Sequence, residues 1–229
     1  MSVQNPKLLS GNTLKIIAAV AMVLDHAGLM FFPGNEAFRI LGRLAFPIFA
    51  FMIAEGCKYT RNRLRYFLQL FGLAVVCQIV YAIVDGSLYL SILFTFSLSI
   101  LMIWALQNFK AAPSAKTGLI FAGAMGSVYL LNRIFLIDYG FWGCMVPLFA
   151  ALPHKTRFDR NPINVAALDL GLLLLWLDLG GWQIWALAAV PLLLLYSGRR
   201  GKGNMKCFFY IFYPAHLVIL QGIAMVMGQ

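Results

Sequence analysis

Residues 13–32 read TLKIIAAVAMVLDHAGLMFF, twenty positions of which only Lys15, Asp25 and His26 can ionise. Twenty mainly apolar residues in a helix rise about 30 Å, the thickness of a bilayer's hydrocarbon core. The stretch therefore reads as a membrane span, and the two ionisable groups in its middle exclude a cleaved signal peptide, whose core is apolar throughout. The whole chain has the same character: 62% of its 229 residues are hydrophobic and 11% charged, where soluble domains carry roughly 25% charged residues. So few charges cannot cover a water-facing surface.

Scanning outward on a length of about 20 residues gives nine spans: 13–32, 38–57, 66–84, 88–107, 117–131, 136–152, 164–179, 182–197 and 207–228. The fold class expected is an all-α, polytopic integral membrane helix bundle in one membrane-embedded domain, residues 1–229. The fifth to eighth spans are short, and residues 117–152 form either two crossings or a re-entrant hairpin. Cytoplasmic loops collect Lys and Arg. With nine spans one side receives Lys7, Lys15, Lys58, Arg61, Arg63, Arg65, Lys110, Lys116, Lys155, Arg157, Arg160, Arg199, Arg200, Lys202 and Lys206, which are 15 of the 18 basic residues. Arg39, Arg43 and Arg133 fall toward the other face with Glu36, Asp85, Asp138 and Asp178. A cytoplasmic N-terminus and an external C-terminus follow. Because the basic residues sit in short runs between apolar segments, the net charge of +10 reflects topology, and nucleic acid is not an expected partner.

Ionisable groups inside spans are costly, and each is a functional candidate. Lys15 and His26 are eleven residues apart, which at 100° per residue leaves them about 20° apart on one face. Lys15 is near the cytoplasmic end and can snorkel; His26, about three turns further along, is the side chain able to exchange protons near neutral pH. Asp25 points about 100° away from His26 and is expected to pair with Arg43 of the second span. Arg39 and Arg43 share a face at i and i+4, suited to binding an anion or a carbonyl or to pairing with Asp25 and Asp138. Pro47 leaves the Arg43 carbonyl without its helical donor and predicts a kink there.

Glu55 lies near the cytoplasmic end and is expected to form a structural ion pair with Lys15. Gln78 and Tyr81 occupy the outer half of the third span. Thr95, Ser97 and Ser99 read as helix–helix hydrogen-bonding groups. Asp138-Tyr139-Gly140 marks a pocket rim at the outer end of the sixth span, and His216 follows Tyr213 in the last. Cys57, Cys77, Cys144 and Cys207 lack the spacing of a disulfide framework or a zinc site, and three scattered histidines predict no metal centre. Soluble-enzyme signatures such as GxSxG, HExxH and the P-loop are absent from the sequence.

Leu14-Lys15 with Asp25-His26, Gly42-Arg43-Leu44-Ala45-Phe46-Pro47-Ile48-Phe49-Ala50-Phe51, Ala54-Glu55-Gly56, Thr60-Arg61-Asn62-Arg63, Asp138-Tyr139-Gly140 and Phe209-Tyr210-Ile211-Phe212-Tyr213-Pro214-Ala215-His216-Leu217 together resemble the TraX family. That family is named for a conjugal-transfer membrane protein that acetylates the N-terminus of pilin. Residues 164–200 carry no matching motif. The family is in turn distantly similar to integral-membrane acyltransferases, in which a basic residue and a histidine with ten residues between them lie in the first span; Lys15 stands here where that class usually has Arg. Val80 stands where many relatives have proline.

The resemblance implies a multi-pass protein of the cell's inner membrane that uses acetyl-CoA as donor and needs no metal. Its acceptor is an amine or hydroxyl at the external side, on a peptide N-terminus, a glycan or a lipid. Given that reaction, the polar residues read above are expected to carry it, with catalytic roles for His26, Asp25 and Arg43. Substrate contacts would come from Lys15, Arg39, Glu55, Gln78, Asp138, Tyr139, Tyr213 and His216, and contacts to the CoA phosphates from Arg61, Arg63, Arg65, Arg199 and Arg200. The alternatives are a small proton-coupled transporter or channel using Asp25, His26, Arg43 and His216 as a relay, and a non-catalytic assembly partner.

Overall fold

The computed structural model describes residues 8–84, 86, 88–153, 161–203 and 205–227. Lys7, Asp85, Lys155, Arg157 and Arg160 of the sequence reading lie outside the described residues, as do the side chains of Lys206 and Cys207. Among the described residues the chain is helical apart from two single parallel bridges, Leu9 with Tyr196 and Leu90 with Ile137. The helices are α1 (Gly11–Phe31), α2 (Glu36–Gly42), α3 (Ala45–Tyr59), α4 (Arg63–Val84), α5 (Ile92–Ala111), α6 (Ala115–Ile134), α7 (Gly140–Ala151) and α8 (Asn161–Leu179). A 3-10 segment over Gly181–Ala189 runs into α9 (Val190–Leu194), and α10 (Lys206–Met227) ends the described chain.

Among the described residues six stretches are long and apolar enough to cross a membrane: Gly11–Phe31, Glu36–Tyr59, Arg63–Ile83, Ile92–Ala111, Asn161–Leu179 and Phe208–Met227. The protein is thus a multi-pass helical membrane protein. Its apolar residues bear this out on α4, where Leu64, Leu68, Phe71, Val75, Val76, Ile79 and Ile83 all face outward; so large an exposed apolar face suits lipid and not water.

The other three expected spans also fall on helical segments, with different lengths. α6 continues to Ile134 because Asn132 returns its side-chain amide to the Val128 carbonyl at 2.8 Å, so a polar residue that looked like a span end stays inside the helix. The expected span over 136–152 shrinks to the 12 residues of α7, because Leu136 and Asp138 pair with Leu90 (2.9 Å each) and Tyr139 turns left-handed at φ +60°. Residues 181–194 are mostly 3-10 helix, whose 2.0 Å rise per residue stretches this short segment to about 25 Å.

The chain divides into two compact units, residues 1–52 with 180–229 and residues 53–179. In the first, α1 and α2 form a tight antiparallel pair. A Cβ added at Gly28 would stand 2.3 Å from Phe38 Cβ, and one at Gly42 would stand 2.4 Å from Asp25 Cβ; only glycine allows the two backbones so close. As Pro47 predicts, the second span breaks at Arg43-Leu44, between α2 and α3. α10 lies along α1, with Phe212 and Tyr213 packed on Ala21, Met22 and Ala45.

The first turn of α1 is closed by the segment before α10. Gly11 and Asn12 donate their amides to the Arg199 and Arg200 carbonyls (2.8 and 2.9 Å). The Asn12 side chain donates to the Lys202 carbonyl at 3.0 Å, and Ser10 caps Thr13 N–H. These bonds satisfy the donors that a helix start leaves open.

In the second unit α5 is central, with Ile100, Met102 and Ile103 fully buried and α4, α6 and α7 packed around it. Ser99 donates to the carbonyls of Thr95 (2.9 Å) and Cys144 (2.8 Å), tying α5 to α7. α8 covers α7 where Gly171 receives Phe149.

Candidate active site

The first unit gathers Asp25, His26, Arg39, Arg43, Tyr213 and His216. α2 places Arg39 one turn before Arg43, and the break after Gly42 turns both guanidiniums onto α1. Arg43 donates from Nη2 to both Asp25 oxygens at 2.8 Å, and Arg39 Nη1 lies 2.9 Å from Asp25 Oδ1. One carboxylate between two guanidiniums leaves a local excess of one positive charge. The side chains of Arg43 and Asp25 are only 12% and 19% exposed, so the charges act on one another with little solvent screening.

Arg43 also donates from Nη1 to Gln183 Oε1 at 3.3 Å. Gln183, near the start of the 3-10 segment, was not singled out in the sequence. The available signal was the one that exposed His26, a polar residue inside an apolar run, but an amide carries no charge and this one lies within four residues of two glycines.

The histidines adopt matching states. His26 Nδ1 lies 2.8 Å from the Met22 carbonyl and His216 Nδ1 3.0 Å from that of Phe212. A carbonyl only accepts, so each neutral ring carries its proton on Nδ1, and Nε2 is the basic nitrogen. The rings meet edge to face, with centroids 5.2 Å apart. His216 is stacked on Phe212 at 5.3 Å and meets Tyr213 at 5.6 Å. It is 5% exposed, and its Nε2 is buried without a hydrogen-bond partner among the described residues.

Lys15 holds its ammonium 5.9 Å from the Phe209 ring centroid. Beside it an apolar groove runs between α1 and α10, lined by Ile16, Ala19, Val20, Val23, Leu24, Phe208 and Phe212. Arg199 and Arg200 are exposed in the segment that closes the start of α1.

The second unit carries the remaining candidates. Glu55, 8% exposed, accepts from Lys58 Nζ at 3.1 Å, one turn along its own helix. Arg61, Arg63 and Arg65 are exposed at the turn into α4, where Asn62 caps the Arg65 amide (2.8 Å) and Arg63 donates to Asn108 Oδ1 (2.9 Å). Lys110 caps the end of α7 by donating to the carbonyls of Ala151 and Leu152. Gln78 is half-buried on α4.

Asp138 accepts from the Tyr89 hydroxyl at 2.9 Å, and its own carbonyl accepts from Thr95 Oγ1 at 2.5 Å. Burial, and then the Asp138 carboxylate, push the Tyr89 phenol well above its ordinary range. Tyr139 and Gly140 follow with φ of +60° and +58°. Two successive left-handed residues aim the start of α7, and at Tyr139 the conformation is strained. Tyr89, like Gln183, was missed in the sequence: the expected fourth span, 88–107, took it in as an apolar end residue, whereas the helix starts only at Ile92.

Comparison with known proteins gives one family match: the family described as TraX protein matches residues 10–224. The chain is 28% identical over 240 residues to a probable fimbrial assembly protein FimC, serogroup H1, of Dichelobacter nodosus, covering 90% of this chain and 92% of that one. It is 25% identical over 224 residues to Protein TraX of Escherichia coli, covering 93% and 86%. A shorter match, 47% over 38 residues, covers 17% of the chain and 15% of an uncharacterized protein of Rickettsia prowazekii (strain Madrid E). No solved structure matches.

Proposed function

The chain belongs to the TraX family, and from that premise we propose that it is a membrane-embedded acyltransferase carrying an acetyl group from acetyl-CoA at the cytoplasmic face to an amine or hydroxyl at the external side. The family's link to pilin acetylation supports the reaction class; a peptide N-terminus is the first acceptor to test. In this reading the nine helical segments cross or enter the inner membrane with the N-terminus cytoplasmic and the C-terminus external. Arg199 and Arg200 are the first unit's candidates for the CoA phosphates and Arg61, Arg63 and Arg65 the second unit's; Glu55, Gln78, Asp138 and Tyr139 are the second unit's candidates for substrate binding.

The observation that carries the reading is the state of His26. Its Nδ1 proton is held by the Met22 carbonyl, which leaves Nε2 to take a proton from the attacking amine or hydroxyl. The neighbouring residue, Asp25, fixes Arg43, so a rigid positive charge stands ready for the negative charge that develops on the thioester carbonyl. His216 meets the His26 ring edge to face and supports it. The proton-relay alternative finds less support, since Asp25 is already engaged by two guanidiniums.

The test uses inverted membrane vesicles supplied outside with acetyl-labelled acetyl-CoA. Vesicles containing the protein are expected to accumulate label on peptide, glycan or lipid material in the lumen. Label no greater than in vesicles without the protein contradicts the proposal.

A further inference from the structure

Gln183 is, with His216, a buried polar group of the first unit whose hydrogen bonding is left half made among the described residues. It is 5% exposed, and its Oε1 faces Arg43 Nη1 at 3.3 Å. A guanidinium has only donors, so the atom turned toward it must be the oxygen, and the orientation of the amide is fixed. The amide nitrogen is then the other end, buried and without a hydrogen-bond partner among the described residues. Nearly all buried polar groups in proteins are paired, and this donor has the capacity to take an acceptor atom that arrives with a ligand. Its surroundings say what kind. Asp25 cancels one of the charges of Arg39 and Arg43, and the remaining positive charge favours an oxygen that becomes negative.

We infer that Gln183 touches the reacting group itself: its side-chain amide donates to the acyl carbonyl oxygen of the thioester, with Arg43 as the bridge that fixes it to Asp25. This rests on the acyl-transfer reading above and adds to it a residue from a region that carries no family motif. In the reaction the acceptor nitrogen or oxygen forms a bond to the carbonyl carbon and its proton passes to His26 Nε2. The carbonyl electron pair moves onto the oxygen, where the Gln183 N–H holds it. As the pair returns, the carbon–sulfur bond breaks, sulfur keeps those electrons, and the imidazolium gives its proton to the thiolate. Acetylated acceptor and free CoA are the products.

The experiment compares wild type, Gln183→Glu and Gln183→Met by infrared difference spectra of bound acetyl-CoA labelled with carbon-13 at the thioester carbonyl, with thermal midpoints measured on the same samples. Glu keeps an oxygen that accepts from Arg43 but replaces the donor with a second, charged oxygen, whereas Met removes donor and acceptor and adds no charge; a change shared by both variants at unchanged thermal midpoint therefore reads the lost donor. The proposal expects the carbonyl band of the wild-type complex to lie below that of free acetyl-CoA, and to return toward the free position in both variants. It also expects acetyl transfer to fall about a hundredfold or more, the scale of losing one oxyanion donor. A wild-type band at the free position, or a shifted band and normal transfer rate in Gln183→Glu, overturns the assignment while leaving acyl transfer intact. Failure of the wild type to bind acetyl-CoA overturns the acyl-transfer reading, and this one with it.

Discussion

Asp25 and Asp138 are both carboxylates within resembling motifs, yet the chain holds them in opposite ways. Asp25 is gripped by two guanidiniums on an adjoining helix at 2.8–2.9 Å, over a glycine that lets the helices touch. Asp138 accepts a tyrosine hydroxyl and sits where the backbone turns through two left-handed residues. The first arrangement fixes a largely buried charge; the second pins the turn into α7. Largely buried charge pairing is costly to break from one side, whereas the hydrogen bond from the hydroxyl of half-exposed Tyr89 is replaceable by solvent.

That contrast is open to direct attack. Asp25→Ala leaves two guanidiniums facing each other and is expected to destabilise the protein by about 3–5 kcal/mol, read as a lowered thermal midpoint in detergent. Asp138→Ala is expected to cost about 1 kcal/mol. Equal losses would erase the distinction. Gly42→Ala comes next, since its Cβ would stand 2.4 Å from Asp25 Oδ1; overpacking of this kind costs about 1–3 kcal/mol, and the displaced carboxylate should lower acetyl transfer as well.

The smallest effect belongs to Tyr89→Phe, and it depends on pH. The folded phenol has a raised pKa, so its hydroxyl's stabilisation is fully present below the ordinary tyrosine value of about 10 and fades as pH rises beyond it. The variant is expected to be less stable than wild type at neutral pH and to approach it in strong alkali; a gap that widens with alkali contradicts the assignment.

The helical fold was legible because apolar runs of about 20 residues admit little else, and the break at Arg43-Leu44 was legible from Pro47. The Asp25–Arg43 pair could be foreseen, since charges in spans must find one another. What escaped the sequence depended on backbone detail: Tyr139's left-handed turn shortened α7, Asn132 returned its amide N–H to the Val128 carbonyl and stayed inside a longer α6, and the 3-10 winding over Gly181–Ala189 has no apolar period to announce it. Gln183 escaped for want of a charge, and Lys58 as the partner of Glu55 was masked by the larger basic cluster around it.

The central claim is that His26 Nε2 is the proton acceptor, and one substitution tests it most directly. His26→Ala, measured beside wild type for acetyl-CoA binding, thermal midpoint and transfer of labelled acetyl groups in inverted vesicles, is expected to bind acetyl-CoA and remain folded while transfer falls to the level of vesicles without the protein. Wild-type transfer by folded His26→Ala would contradict the account and remove His26 from the chemistry.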